Sequence, residues 1–247
     1  MSGPARAIVL ALLLAGFGVF SSVWTVNWLV RGSYVTAALI GLLTIWAFGY
    51  AAYFVITALG APNPRTDSGA HGVLLRPGIA LDVVNFVPAA AISLAAALYL
   101  IFSRFDMIDY TPAGIQRVTV PAGCVALLLF SAPTMYRRFK YKGGGHLRLD
   151  PAGFEVWNGQ WGSLKHGAWD EVEEILDHPI KGKAFNRVIV FVLADGSSAT
   201  LMADTIISDF EPLYEWVRFY WEHPEYRGEL VDDRAFQRLR GGNFTTG

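Results

Sequence analysis

Apolar positions run together in the first half of this chain and alternate in the second. Ala7 to Val30 holds 24 residues without a charge, Tyr34 to Leu59 holds 26, Val83 to Phe102 holds 20 and Val118 to Tyr136 holds 19. A hydrocarbon core of roughly 30 Å needs about 20 apolar residues in a helix, so the pattern predicts four membrane-spanning helices, at about 7–30, 34–59, 79–103 and 117–136. Arg6 followed by an apolar stretch also describes a secretory signal. Here the run continues through Trp24 and Trp28 to Arg31, beyond the length of a signal core, and reads as an uncleaved helix. Only Arg31, Gly32 and Ser33 separate the first two runs, which implies a tight antiparallel hairpin. Small residues four apart (Ala37 with Gly41, Ala47 with Ala51, Ala91 with Ala95) let helices approach closely.

From His146 the period changes to two. Leu147, Leu149, Phe154, Val156 and Asn158 alternate around Asp150-Pro151-Ala152-Gly153, whose Pro and Gly suit a type I turn and so a hairpin. Asn158-Gly159 is a second turn signal. Val172 and Ile175 point inward in the next segment. "RVIVFVLADGSSATLMAD" reads as another hairpin, with Val188, Val190 and Val192 on one face and Asp195-Gly196 at its turn. The alternation then stops. Phe210, Leu213, Val217 and Tyr220, with Trp216 beside them, recur at helical spacing, Ser208 or Asp209 is placed to cap, and Pro212 falls in the first turn. The expected fold is therefore a four-helix membrane bundle followed by a small antiparallel β barrel or sandwich of about six or seven strands, closed by a C-terminal helix. Residues 1–142 form the helical domain, 143–145 a flexible glycine linker, 146–240 the β domain and 241–247 a tail.

Composition agrees with this division. The 247 residues are 53% hydrophobic and 17% charged, against about 25% charged in an average soluble domain. The net charge of −1 conceals an asymmetry, +6 over residues 1–142 and −7 over 143–247. With four spans both termini share a side. That side would carry Arg6, Arg65, Arg76, Arg137, Arg138, Lys140 and Lys142, and the other Arg31, Arg104 and Arg117. Cytoplasmic termini in an inner (plasma) membrane follow from the excess of positive charge.

Candidate functional residues are few. Arg137, Arg138, Lys140 and Lys142 suit contact with the anionic inner leaflet, each contributing about 1 kcal/mol close to the surface. Lys181, Lys183 and Arg187 cluster in a loop that suits the same leaflet or an acidic partner. Asp82 is the one acid close to an apolar span. It lies about one turn after Pro77 and Gly78, where a helix dipole favours an acid; with Asn85 it would alternatively make a polar notch in the bundle. No cofactor or metal is called for. The five histidines show no ligand spacing, Glu174 and Asp177 near His178 read as surface charges, and Cys124 is a single packing residue. The glycine triplet lacks the lysine and hydroxyl of a phosphate-cradling loop, no nucleophile elbow occurs, and an acidic second half does not suit nucleic acid.

The run of short strands with Trp169-Asp170-Glu171-Val172, the Asp195-Gly196 hairpin and the closing amphipathic helix resembles the bacterial pleckstrin-homology-like (PH-like) domain. The tail "HPEYRGELVDDRAFQRLRGG" is similar to the end of actinobacterial membrane proteins that carry one. The resemblance implies a non-enzymatic binding fold for lipids or protein segments. The acidic turn at Asp150, followed by Glu155, departs from the basic hairpin of members that bind phosphoinositides. The function expected is a scaffold or accessory subunit of a cell-envelope membrane complex; the alternative is a small transporter or lipid-handling protein acting near Asp82. A reporter active only outside the cytoplasm, fused to the C-terminus, is expected to stay silent. Strong activity would overturn the topology.

Overall fold

The four apolar runs form four helices in the computed structural model, which describes residues 3–59, 64–109, 112–141, 143–159, 162–182 and 187–244. The helices are α1 (Gly3–Val30), α2 (Tyr34–Ala58), α3 (Ile79–Phe102) and α4 (Gln116–Lys140). All four are long and apolar enough to cross a membrane. The chain divides into two compact units, one of residues 1–58 with 83–140 and the other of 59–82 with 141–247.

In the helical unit, the small residues lie where helices meet. Ala37, Ala47, Ala51, Ala91 and Ala95 are all buried. A Cβ on Gly18 would stand 2.9 Å from the Phe48 ring, and one on Gly49 would overlap Pro88. Glycine at these two positions admits the close approach, a pattern common where apolar helices pack. Ser93 and Ser131 hydroxyls, 3.0 Å apart, link α3 to α4. Thr36 of α2 donates to Asp109 at 2.8 Å, tying the α3–α4 connection to the start of α2. The remaining surface of these helices is apolar: Leu12, Leu13, Phe20, Leu129 and Phe130 are exposed.

The second unit contains two antiparallel sheets. One has five strands in sequence order: β1 (Arg65–Gly69), β2 (Gly72–Arg76), β3 (Gly145–Leu149), β4 (Gly153–Asn158) and β5 (Ser163–Ala168). The other has three: β6 (Val172–Leu176), β7 (Val188–Leu193) and β8 (Ser198–Met202). Helix α5 (Phe210–Glu222), a 3-10 stretch over Pro224–Val231 and helix α6 (Arg234–Gly241) complete it. The turns form as expected. Asp150 and Gly153 exchange backbone hydrogen bonds, the Asp150 carboxylate accepts from the amides of Ala152 and Gly153 at 2.8 Å, and Gly196 takes φ 75°. Asp209 occupies the N-cap of α5, but its side chain makes no capping bond.

One buried core joins both sheets and α5. Leu147, Leu149, Phe154 and Val156 face it from the first sheet, and Phe154 stacks on Phe191 of the second with centroids 4.2 Å apart. From β7 the core takes Ile189, Phe191 and Leu193 rather than the valine face. Asn158 is also buried, and its amide donates to the Thr200 carbonyl at 2.9 Å, linking β4 to β8. From α5 come Leu213, Trp216, Val217 and Tyr220, all fully buried; the Trp216 indole satisfies its N–H on the Ala235 carbonyl.

Two expectations change. The sequence reading gave residues 1–142 wholly to the helical domain, whereas residues 59–82 belong to the β unit. The β1–β2 hairpin pairs with β3 in the register Val73↔Leu149, Leu74↔Arg148, Leu75↔Leu147 and buries Val73 and Leu75 in the shared core. The cause is a short segment whose partner strand lies beyond two intervening helices, so no local pattern announces it. Gly72, at φ 97°, passes so close to Leu149 and Asp150 that a Cβ would overlap them.

Residues 143–145 are not a flexible linker either. Gly145 is the first residue of β3, paired with Asn158, and the Gly144 carbonyl accepts from the Gly159 amide at 3.0 Å.

A fragment of residues 143–244 is therefore expected not to unfold cooperatively by itself, and fusing residues 64–78 to it should restore a cooperative transition. In that fused form Leu75→Ala should cost about 2–5 kcal/mol, as a large-to-small core change. Denaturant melts of both fragments check this, and cooperative unfolding without the hairpin would count against it.

Candidate functional site

Asp82 stands in the first turn of α3, where its own amide donates to the Gly78 carbonyl at 3.1 Å. That position suits an acid, because the unpaired N–H groups of a helix start carry partial positive charge. Its carboxylate has two further partners, neither apparent from its sequence neighbours. One oxygen pairs with the Arg65 guanidinium of β1, which also donates through Nε to the Pro77 carbonyl at 2.9 Å. The other accepts the Gly144 amide at 3.0 Å. A Cβ on Gly143 would stand 3.3 Å from this carboxylate and one on Gly144 3.4 Å, so glycine lets the acid reach the backbone. Gly143 also adopts φ 147° and offers its carbonyl to the Trp157 indole at 3.0 Å. Tyr141 lies on the same indole, centroids 4.4 Å apart. Within the β unit, Gly144 is thus held by a carboxylate, and Gly143 and Tyr141 by the Trp157 indole.

Asp82 and Asn85, grouped as one polar notch by the sequence, have separate partners. Asn85 accepts from Arg138 Nη1 at 2.8 Å. Beside this contact Phe86 and Phe139 meet edge to face, 5.1 Å between centroids. Arg137, Arg138 and Lys140 occupy the last turn of α4, where cations complement the helix dipole. Lys142 lies outside the described residues. Among the loop cations, Lys181 is exposed and Lys183 is outside the described residues. Arg187 places its guanidinium 5.7 Å from the Phe210 ring centre, and its amide donates to Asp204 at 2.7 Å. Burial pushes the Asp204 carboxyl above its ordinary range.

The outer face of the first sheet carries a polar row that the sequence reading did not single out. His146, buried, shares a hydrogen bond of 2.8 Å between Nε2 and Glu155 Oε1. Loss of hydration lowers its pKa, with Arg76 and Arg148 adding to the effect and Glu155 opposing it. Farther along, a cleft of 790 Å³ opens between the β3–β4 turn, the end of β5 and the β7–β8 turn. Four acids line it: Asp150 accepts from two amides, Asp195 from Ser197 at 2.7 Å and Glu171 from Ala168 at 2.9 Å, while Glu155 is shared by His146 and Arg148. Of its cations, Arg148 Nη1 is 4.0 Å from Glu155 and Lys165 faces the charge of Asp195; the side chains of Lys165 and His166 make no hydrogen bond among the described residues. Alternation in "SLKHGA" could have placed Lys165 and His166 on opposite faces of one strand; it could not show that β5 lies at a sheet edge.

Among the described residues no group of three or more His, Cys, Asp or Glu is placed to hold a metal ion. Compared with known proteins, the chain matches no family model, no curated protein and no solved structure. Its own geometry must carry the functional reading.

The ion pair to Arg65 is half-exposed, and such a pair contributes about 0–1 kcal/mol. The hydrogen bond from Gly144 to a carboxylate is the stronger contact, at about 1.5–3 kcal/mol. Asp82→Asn keeps an acceptor for Gly144 and should destabilise the β unit by about 1 kcal/mol or less. Asp82→Ala should cost about 1.5–3 kcal/mol and speed amide hydrogen exchange at Gly144 and along β3. Exchange mass spectrometry on the detergent-solubilised chain distinguishes the two, and unchanged exchange in Asp82→Ala would remove this contact from the account.

Proposed function

We propose that the chain is a multi-pass protein of the inner membrane, with both termini cytoplasmic. Its β unit serves as a PH-like binding module of a non-enzymatic scaffold or accessory subunit. The observation that carries this reading is the way the β unit is attached. Its first sheet is built from two segments of chain, β1–β2 and β3–β5, that flank the α3–α4 pair, and the Gly144 amide is bound to Asp82 where α3 begins. The chain passes between the units three times, after residues 58, 82 and 140. A module on one flexible tether suits capture at a distance. One entered by the chain at three crossings, rather than appended at one end, suits a built-in part of a membrane complex.

The two antiparallel sheets around a common core with α5 support the PH-like reading. The exposed apolar helix surfaces and the basic last turn of α4 support insertion, with Arg137, Arg138, Lys140 and Lys142 at the anionic inner leaflet. Lys181, Lys183 and Arg187 supply a second positive contact for the leaflet or for an acidic subunit. The polar groups near Asp82 support a structural role over a transport site, since its carboxylate is engaged by Arg65 and Gly144.

The test is crosslinking in native membranes followed by recovery of the full chain. A partner recovered with the parent protein should be lost from a Leu75→Asp variant, which disrupts the β core, while that variant still inserts. Partner recovery that survives loss of the β unit would transfer the binding role to the helices. No partner recovered by the parent chain would sink the scaffold reading.

A further inference from the structure

We propose that Asn158-Gly159 is a site of spontaneous deamidation that the closed β unit holds shut, so that opening of the first sheet there is converted into a lasting chemical change. The proposal is independent of any binding role.

The reactivity belongs to the dipeptide. The backbone nitrogen of the residue after an asparagine can attack the side-chain carbonyl carbon. A C–N bond forms, the Cγ–Nδ2 bond breaks and ammonia leaves, giving a five-membered succinimide. Water then opens the ring to aspartate, or to isoaspartate, in which the main chain runs through the side-chain carbon. Water is the only other reactant. A side chain on the following residue hinders the attack, and glycine has none. Asparagine is counted among the thermolabile residues. Asn158-Gly159 is the one Asn-Gly pair in the sequence; the other five asparagines precede tryptophan, proline, phenylalanine or arginine.

The fold gives a reason for each member of this labile pair. Asparagine at 158 supplies a donor: the side chain is buried, and its amide donates to the Thr200 carbonyl at 2.9 Å, from β4 across to β8. Glycine at 159 supplies room, because a Cβ there would overlap the carbonyl group of Gly144. Two structural requirements met at adjacent positions thus create the reactive sequence.

The same contacts block the reaction. The nucleophile, the Gly159 amide, donates to the Gly144 carbonyl at 3.0 Å. Asn158 is held in extended backbone between Gly145 of β3 and Ser163 of β5, with its amide group turned to β8. Only 5% of the residue is exposed, which keeps water and base from it. Gly144 is itself fastened, since its own amide donates to the Asp82 carboxylate at 3.0 Å. One glycine therefore links the acid at the start of α3 to the nucleophile of Gly159.

Reaction requires these contacts to open together, and the free energy of that local opening sets the fraction of chains able to react. Closure afterwards is impaired. An aspartate at this position has no N–H for the Thr200 carbonyl and buries a charge beside it. An isoaspartate adds a backbone atom between β4 and β5, where the pair Asn158↔Ser163 sets the register.

The full chain in detergent micelles is incubated in mildly alkaline buffer, and conversion at Asn158 is followed by peptide mass spectrometry. A synthetic peptide of residues 154–163 gives the unprotected rate. The folded chain should convert about a hundredfold more slowly than the peptide, an opening free energy of about 2.8 kcal/mol. Asp82→Ala, which frees Gly144, and Leu75→Ala, which weakens the β2–β3 pairing, should each convert about tenfold faster than the parent. Asn158→Asp, which installs one product, should unfold in less urea than the parent and lose hydrogen-exchange protection in β4 and β8. Equal rates in the folded chain and the peptide overturn the proposal, as do parental rates in both destabilised variants. An Asn158→Asp chain as stable as the parent overturns it too, because opening would then leave no lasting mark. If Leu75→Ala does not fold, its Asn158 should react at the peptide's rate, and a slower rate counts against the proposal in the same way.

Discussion

The β unit depends on one antiparallel ladder, that between β2 and β3. Three register pairs join strands that lie on either side of α3 and α4 in the chain. They place Val73 and Leu75 beside Leu147 and Leu149, all essentially inaccessible to water. Without that ladder β3 becomes an open edge and the core loses one wall. Everything near the joint supports it: the Asp82 carboxylate on Gly144, the Trp157 indole on Gly143, and Gly72 admitting the end of β3. The individual contacts are modest, about 1–3 kcal/mol each. Their shared effect is to remove conformational freedom from a segment that three glycines would otherwise leave loose.

Around α5, the core is closed by aromatic packing rather than by further strands. Trp216 and Phe236 stack with planes 12° apart, and Tyr220 meets Trp216 edge to face. The Tyr220 hydroxyl donates to Glu229, which Arg238 grips with both a 2.8 Å Nε contact and a 2.8 Å Nη2 contact. Those bonds hold the Glu229 carboxyl below its ordinary range despite partial burial. Arg238 also lies 4.3 Å from the Phe219 ring centre. One bidentate ion pair set among rings therefore joins the 3-10 stretch to α6, with Tyr220 of α5 bonded to its carboxylate, a geometry in which arginine is not replaceable by lysine.

Elements with a local cause were legible in the sequence. The apolar runs, the Asp150 and Gly196 turns, and the buried face of α5 follow from periodicity and turn chemistry within a dozen residues. The small residues at helix contacts were also readable, because spacing by four places them on one face. What escaped was non-local. "RTDSGAHGVLLR" contains a turn signal and three consecutive apolar residues, yet too few positions to establish a period. Its strand partner lies beyond two helices. Gly143, Gly144 and Gly145 were misjudged for the same reason: glycine reports that the backbone is unencumbered, and only the position of Asp82 shows that the freedom is used for close approach. The alternation of β7 left two faces equally apolar, and burial of both Val190 and Ile189 explains why the pattern could not choose between them.

Because the first sheet is interrupted by α3 and α4, it has a fixed order of assembly. A chain made from its N-terminus produces β1 and β2 first, and the strand that must pair with β2 follows only after both helices. Closing that long loop carries an entropic cost that grows slowly with its length, and long-range pairings of this kind form late and slowly. Until then β2 offers Val73 and Leu75 with only β1 as company. The hairpin is suited to that wait: β1 is short and carries Arg65, Thr66, Asp67 and Ser68, so its outer edge is a poor template for a foreign strand. Completion of the β unit thus reports that α3 and α4 have been made, and a chain interrupted within either helix leaves its first hairpin without a partner.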